Sequence, residues 1–255
     1  MGNFQDAARY ERYMGGWSRA AGAAFLDWLA LPAGQSWLDV GCGGGAFGVQ
    51  ILQHAAPATL HGIDISAAQL AYARAQLPAH VVLQQGDAAA LSFDADTFDA
   101  VVMPLVIVFV PDPARAVAEM ARVCKPGGTV ATYIWDLPQG FPYAPAFALL
   151  HEHGVLPQRD ASDDITQLPR LHALWEQAGL TDIATRAFHV AYRFPDFTAY
   201  WQALADSASI GEAFAALPPE THQSVQQALR RSLPIAADGS ITCHARAHAV
   251  KGRRV

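Results

Sequence analysis

The chain has 255 residues, of which 52% are hydrophobic and 16% are charged, and its formal net charge is −6. These values indicate a globular protein with a sizeable core and exclude an intrinsically disordered chain. The acidic balance, without a basic run interleaved with aromatic residues, argues against nucleic acid as a partner. The three cysteines form no CxxC pair, which is typical of reduced, intracellular thiols.

The N-terminal residues show no apolar segment of the kind found in signal peptides. The longest apolar stretch, residues 100–110, contains a proline and is too short to span a bilayer. We therefore expect a cytoplasmic protein that does not enter a membrane.

Two helices are predicted first, over residues 4–14 and 20–30. Alternating strand and helix patterns then fill residues 36–135. Short apolar runs predict strands over residues 36–40, 59–64, 81–85, 98–103 and 129–135. Intervening helices are predicted over residues 46–55, over residues 66–76 with Ser66 as N-cap, and from Asp112-Pro113 up to the KPGG sequence at 125–128. This alternation predicts a parallel sheet with helices on both faces.

After residue 135 the pattern changes. Residues 136–168 are rich in proline and lack a clear period, which predicts a loop-rich insertion over the carboxyl end of the sheet. A helix, a strand, two or three helices and a last strand follow, over residues 169–178, 183–193, 196–233 and 240–250. We predict one domain over residues 1–255. Its predicted parts are N-terminal helices (1–35), a core (36–135) and lid insertions (136–168 and 195–238).

A glycine-rich sequence, LDVGCGGG at residues 38–45, lies where the first strand turns into a helix. Gly41 permits a tight turn, and Gly43 allows a ligand to approach the backbone. Asp64 ends the next strand, at the position that binds ribose hydroxyls in nucleotide-binding folds. The pattern therefore predicts a nucleoside site.

Asp39 favours S-adenosylmethionine over a dinucleotide as the ligand of this site. The run from Gly41 to Ala46 also fits the GxGxxA form of a dinucleotide fingerprint. A carboxylate would repel a pyrophosphate, whereas it favours the ammonium and sulfonium of S-adenosylmethionine. Asp39 therefore points to the sulfonium ligand, unless it only caps the loop.

Five motifs in order carry a family resemblance: LDVGCGGG, GIDIS (62–66), QGDAAALSF (85–93), FDAVV (98–102) and RVCKPGG (122–128). The chain resembles the class I S-adenosylmethionine-dependent methyltransferases, particularly the group related to ubiquinone/menaquinone-biosynthesis enzymes. The N-terminal YERYMGGWSR and the closing GSITCHARAHAVKG are also similar to that group. The resemblance implies a Rossmann-like, doubly wound α/β sheet, mostly parallel with one antiparallel C-terminal strand, and S-adenosylmethionine as cofactor.

The resemblance also implies roles for individual residues. Backbone around Gly41 and Gly43 would hold the methionine part near Asp39, and Asp64 would bind the ribose. Ile65 would pack on adenine, and Asp87, beside the Ala88 N–H, would accept from its amino group. Two alternatives remain open: Asp87 could only cap a turn, and Met103, which would line the methionine side of the cofactor, could only pack in the core. The full cofactor-binding set is Asp39, Gly41, Cys42, Gly43, Asp64, Ile65, Asp87, Ala88, Met103 and Trp17.

The acceptor site is less defined by the sequence. Many relatives carry histidine after the fourth strand, where this chain has Val108 and Phe109, so a general base at that position is missing. Candidate catalytic residues are His151, His153 and Tyr133, and no metal site is predicted. The candidate acceptor residues share an expected place at the carboxyl end of the sheet: Tyr10, Tyr13, Trp17, Tyr133, Trp135, Tyr143, His151 and His153.

We therefore predict transfer of a methyl group to O, N or C of a small, partly apolar acceptor. A nicotinamide-dependent oxidoreductase and a cofactor-binding scaffold without methyl transfer remain alternatives.

Overall fold

A computed structural model describes residues 7–155, 164–207 and 210–255. Its single sheet has seven strands in the order β3-β2-β1-β4-β5-β7-β6. The strands are β1 Ser36–Val40, β2 Thr59–Asp64, β3 Val82–Gln85, β4 Phe98–Val102, β5 Cys124–Trp135, β6 Thr181–Phe194 and β7 Ile241–Arg253. Strand β7 alone pairs antiparallel, with both β5 and β6. The predicted fold class is confirmed.

The helices are α1 Ala7–Leu29, α2 Ala46–His54, α3 Ala67–Gln76, α4 Pro113–Val123, α5 Ala144–Glu152, α6 Leu168–Gln177, α7 Phe197–Ala205, α8 Ile210–Ala215 and α9 Pro219–Ser232. Two predicted caps are present, because Ser66 accepts from Gln69 N and Asp112 accepts from Arg115 N. Helices α1 and α2 pack on one face of the sheet, and α4 and α6 cover the other.

The sequence prediction of two N-terminal helices is wrong, since α1 is continuous. The pair Gly15-Gly16 reads as a break because glycine disfavours a helix interior. Packing overrides this preference: a Cβ at Gly16 would lie 2.2 Å from the ring of Tyr192. Gly16 therefore lets the end of β6 lie directly against the helix backbone. Residues 4–6 of the predicted first helix lie outside the described residues.

The described part of the 136–168 insertion contains the helix α5 as well as loops, as expected for a helical and loop insertion. Ala146 and Leu150, four residues apart, are both buried and form the apolar stripe of this helix. The two ends of the insertion meet at the buried carboxylate of Asp136. Gln167 Nε2 donates to Asp136 Oδ1 at 3.0 Å, and Arg246 Nε donates to Oδ2 at 2.7 Å. The start and the end of the insertion are thus fixed at one point beside β7.

Candidate functional site

The glycine loop joins β1 to α2 at the centre of the sheet. Asp39, in β1, pairs with Gly62 of β2 and Val102 of β4. The loop backbone turns back sharply: Gly41 N and Cys42 N both donate to Ile63 O, at 2.7 and 3.0 Å. The turn requires glycine, because Gly41 has φ +75° and a Cβ there would lie 2.6 Å from Val106 Cγ2.

Asp39 lies buried behind this loop, with 1% of its surface exposed. Among the residues the structure describes, neither of its carboxylate oxygens has a hydrogen-bond partner. Burial, and to a lesser degree the charge of Asp64, raises its pKa to about 8. A buried carboxylate without a partner is costly, and a bound cation would relieve that cost. The site therefore fits a ligand that brings a positive charge to the glycine loop.

Asp64 is held in place at the carboxyl end of β2. Its Oδ2 accepts from Gly43 N and its Oδ1 accepts from Ser66 N, each at 2.8 Å. A carboxylate has about four acceptor sites, so both oxygens retain capacity for ribose hydroxyls. The same side chain therefore shapes the loop and faces the place where a nucleoside would lie.

Replacing Asp64 by alanine is expected to cost about 1.5–3 kcal/mol of affinity for S-adenosylhomocysteine, as for loss of a charged hydrogen-bond acceptor. The fold is expected to survive because Asp64 ends a strand. Calorimetric titration measures the affinity, and Asp64→Asn, which keeps the shape but loses the charge, serves as the matched comparison. An alanine variant with the wild-type dissociation constant would show that Asp64 has no role in binding.

The side chain that follows, Ile65, is 73% exposed. Gln85 Nε2 donates to its carbonyl oxygen at 3.0 Å, which fixes the backbone there. An exposed aliphatic side chain next to a nucleoside site offers a surface for a flat ring. Asp87 lies close by, after β3, but its Oδ1 accepts from Ala89 N at 2.9 Å. This bond is the turn cap that the sequence left as an alternative, and Ala88 lies within that turn.

Three other residues of the predicted cofactor-binding set are buried. Met103 is fully buried and packs in the cluster on the α4 face, as in the core alternative. Trp17 packs instead against Tyr192 and Tyr143, with ring centroids at 5.5 and 6.3 Å. Burial raises the pKa of the Cys42 thiol, so it stays protonated and inert at neutral pH.

The catalytic candidates do not come together. Tyr133 is buried, and its hydroxyl contacts Ser18 O at 3.4 Å. Burial raises its pKa well above the ordinary value, so at neutral pH it can donate a proton in a hydrogen bond but cannot act as a base. His153 is exposed, and its Nδ1 contacts Leu149 O of its own helix at 2.9 Å. His151 lies in the last turn of α5, near Phe147.

Aromatic side chains gather beyond the carboxyl end of the sheet. Tyr13 stacks on Tyr143 at 4.8 Å, and Tyr143 lies 5.6 Å from Tyr200. We call the following residues of α1, β6, α7 and the N-cap of α5 the aromatic cover: Tyr13, Trp17, Tyr143, Tyr192, Phe194 and Tyr200. Sequence reasoning missed Tyr200, although Phe197, Tyr200 and Trp201 lie at helical spacing.

The start of α1 is tied to the end of α7. Arg9 Nε donates to Asp206 O at 2.7 Å, and its Nη2 donates to Ser207 O at 3.1 Å. Arg12 pairs with the Asp206 carboxylate at 2.9 Å. A guanidinium at a helix C-terminus satisfies free carbonyls and opposes the helix dipole. The two helices that carry much of the aromatic cover are therefore linked.

Within the ranges described, no three His, Cys, Asp or Glu side chains are grouped so that they could hold a metal ion. No helix in the same ranges is long and apolar enough to cross a membrane.

The chain is similar in sequence to known methyltransferases. Residues 38–132 match the family described as "Methyltransferase domain". A demethylmenaquinone methyltransferase of Bacillus licheniformis is 27% identical over 181 residues, which cover 64% of this chain and 78% of that protein. A phosphatidylethanolamine N-methyltransferase of Cereibacter sphaeroides is 41% identical over 98 residues, or 36% of this chain, and the chain spans 47% of its length.

A crystal structure of Haemonchus contortus phosphoethanolamine N-methyltransferase 2 with S-adenosyl-L-methionine shares the fold. Its TM-score is 0.58 at 19% identity, covering 97% of this chain and 56% of that one. Fold, glycine loop and domain match together define an S-adenosylmethionine-dependent methyltransferase. The chain resembles class I of these enzymes and is similar to the quinone-biosynthesis methyltransferases. The nicotinamide-dependent alternative is thereby disfavoured.

Proposed function

We propose that this enzyme methylates a small, planar and partly apolar molecule that binds between the glycine loop and the aromatic cover. The aromatic cover is the observation that carries the proposal, because ligand sites in open α/β sheets lie outside the carboxyl ends of the strands. Rings of this kind bind flat apolar molecules by stacking and by burial of surface. The relative from Bacillus licheniformis, named for demethylmenaquinone, is consistent with a ring acceptor.

The residues of the chain bind and orient the reactants. When bound, S-adenosylmethionine supplies an electrophilic methyl group on a positively charged sulfur. Asp39 would face its ammonium, Asp64 its ribose and Ile65 its adenine. The aromatic cover would exclude water from the reacting atoms. An acceptor ring whose own hydroxyl ionises readily needs no base from the protein.

An amine acceptor is the second candidate, because the relative from Cereibacter sphaeroides is named for phosphatidylethanolamine. Aromatic rings also bind ammonium groups through cation–π attraction. A phosphate group would require arginine or lysine beside the aromatic cover, and the guanidinium groups of Arg9 and Arg12 are engaged with α7. The ring acceptor is therefore favoured.

Transfer of a labelled methyl group from S-adenosylmethionine tests the proposal. The acceptors are a series of dihydroxynaphthalenes and catechols, with ethanolamine and phosphoethanolamine as the matched amine series. We expect label only in ring compounds. Label confined to the amines would overturn the ring acceptor, and the Asp39→Asn variant, which should bind the cofactor poorly, reports the background.

Residues 136–168 and the N-terminal segment before residue 20 are proposed to form a lid that sets acceptor choice. Limited proteolysis is expected to cut within these segments and to slow when S-adenosylhomocysteine and an acceptor are present, because closure protects the backbone. Equal cleavage with and without ligands would contradict the lid.

The proposed location of the protein is the cytoplasm, and the three free cysteines support it. The net charge of −6 disfavours a nucleic-acid partner.

A further inference from the structure

Tyr200 introduces a polar atom into the middle of the aromatic cover. Its side chain is fully buried, and within the described part of the chain its hydroxyl has no hydrogen-bond partner. The rings of Phe194 and Tyr143 lie 5.1 and 5.6 Å away. Buried hydroxyls are nearly always hydrogen-bonded in folded proteins, because burial removes their hydrogen bonds to water and an unpaired polar group is costly. A phenylalanine would fill the same space without burying an unpaired hydroxyl. A ligand from outside the chain could supply the missing hydrogen-bond partner.

Trp135 places a second such donor on the same face of the sheet. It is buried at the end of β5, and its indole N–H also lacks a partner among the described residues. Trp135 pairs with Ala247 of β7, and Cys243, which pairs with Tyr192 of the aromatic cover, is four residues earlier in that strand. At the usual rise per residue, this separation along β7 is about 13 Å. Trp135 therefore lies beside the aromatic cover, at a separate place along β7.

We infer that Tyr200 and Trp135 are specificity-determining residues, which donate hydrogen bonds to oxygen atoms of a planar aromatic acceptor. This inference rests on the proposed function and narrows it to oxygen-bearing rings. An indole N–H can only donate, and an ammonium group also only donates, so a cationic amine leaves Trp135 unpaired. Ring centroids 5–6 Å apart are already in contact, so the acceptor enters when the cover elements shift.

The test compares two ligands of one shape, 1-naphthol and 1-methylnaphthalene, with the full chain saturated by S-adenosylhomocysteine. Calorimetry is expected to show that the wild type binds 1-naphthol about fivefold more tightly, as for one net hydrogen bond. The Tyr200→Phe variant should lose this preference, since Trp135 would pair with a second ring oxygen that 1-naphthol lacks. Tyr72→Phe, a substitution on the outer surface of α3, is the matched control and should keep the preference. An undiminished preference in Tyr200→Phe, or no binding of either ligand to the wild type, overturns the inference.

Thermal unfolding of the ligand-free protein separates binding from folding. If no group of the protein pairs with the hydroxyl, Tyr200→Phe should unfold at the same or a higher Tm than the wild type. A lower Tm with the ligand preference unchanged would show a purely structural hydroxyl and would also overturn the inference. Naphthol preference without label transfer to any ring compound would support the assignment of Tyr200 and contradict the proposed function.

Discussion

Replacing Asp39 by asparagine is expected to weaken binding of S-adenosylhomocysteine by about 100-fold, because a buried carboxylate that pairs with an ammonium contributes several kcal/mol. Calorimetric titration measures this loss. The control is Asp99→Asn, at the opposite end of the sheet, where the carboxylate pairs with Lys125 at 2.8 Å. Similar affinity losses in both variants would show that the effect of Asp39 is not specific to the site.

The pH dependence of the same variant is also fixed by the burial of Asp39. Its folded pKa of about 8 lies above the ordinary value of 3.8, so between these values the folded state holds a proton that the unfolded state has lost. Stability therefore falls as pH rises from about 4 to about 8. Asparagine does not ionise, so the variant lacks this loss of stability. The Tm of the variant should therefore rise relative to that of the wild type as pH increases from about 4 to about 8. In the wild type, affinity for S-adenosylhomocysteine should increase as pH rises toward 8, and a flat profile would contradict this account.

Replacing Gly41 by alanine is expected to lower the free energy of unfolding by about 2–5 kcal/mol. The left-handed backbone costs an alanine about 1–2 kcal/mol, and contact with Val106 adds about 1–3 kcal/mol. Gly34 provides the matched control, since its φ is +79° but a Cβ there would meet nothing within 4 Å. Gly34→Ala should therefore cost only the backbone strain, about 1 kcal/mol.

Urea denaturation measures both glycine variants. The Gly41 variant should also lose affinity for S-adenosylhomocysteine, because the loop must move away from Val106, whereas the Gly34 variant should bind normally. Equal losses of stability in the two variants would show that the contact with Val106 contributes nothing.

The geometry of the glycine loop could be predicted from the sequence because its signals are local. The tight turn at Gly41 and the acids at Asp39 and Asp64 follow directly from short strands whose carboxyl ends share an edge. A parallel sheet brings such residues together at one edge, independently of how the rest of the chain folds. The sequence could also predict the caps at Ser66 and Asp112, which depend on residues three positions apart.

The acceptor half could not be predicted in the same way, because its contacts join distant parts of the chain. Tyr200 meets Tyr143 across 57 residues, and no local period indicates that pairing. The side of the sheet on which Met103 packs depends on the twist and crossover of neighbouring strands. The sequence around Met103 is compatible with either side. The continuity of α1 depends on Tyr192, which lies far along the chain against Gly16.

Helix α1 joins two parts of the molecule that are held by different neighbours. Its first turns are bound to the end of α7 by Arg9 and Arg12. Its second half is buried against the sheet through residues such as Phe25. Gly15-Gly16 separates the halves, and a glycine pair is where a helix bends most easily. Helix α1 therefore connects α7 to the core of the sheet, with Gly15-Gly16 between its two anchored ends.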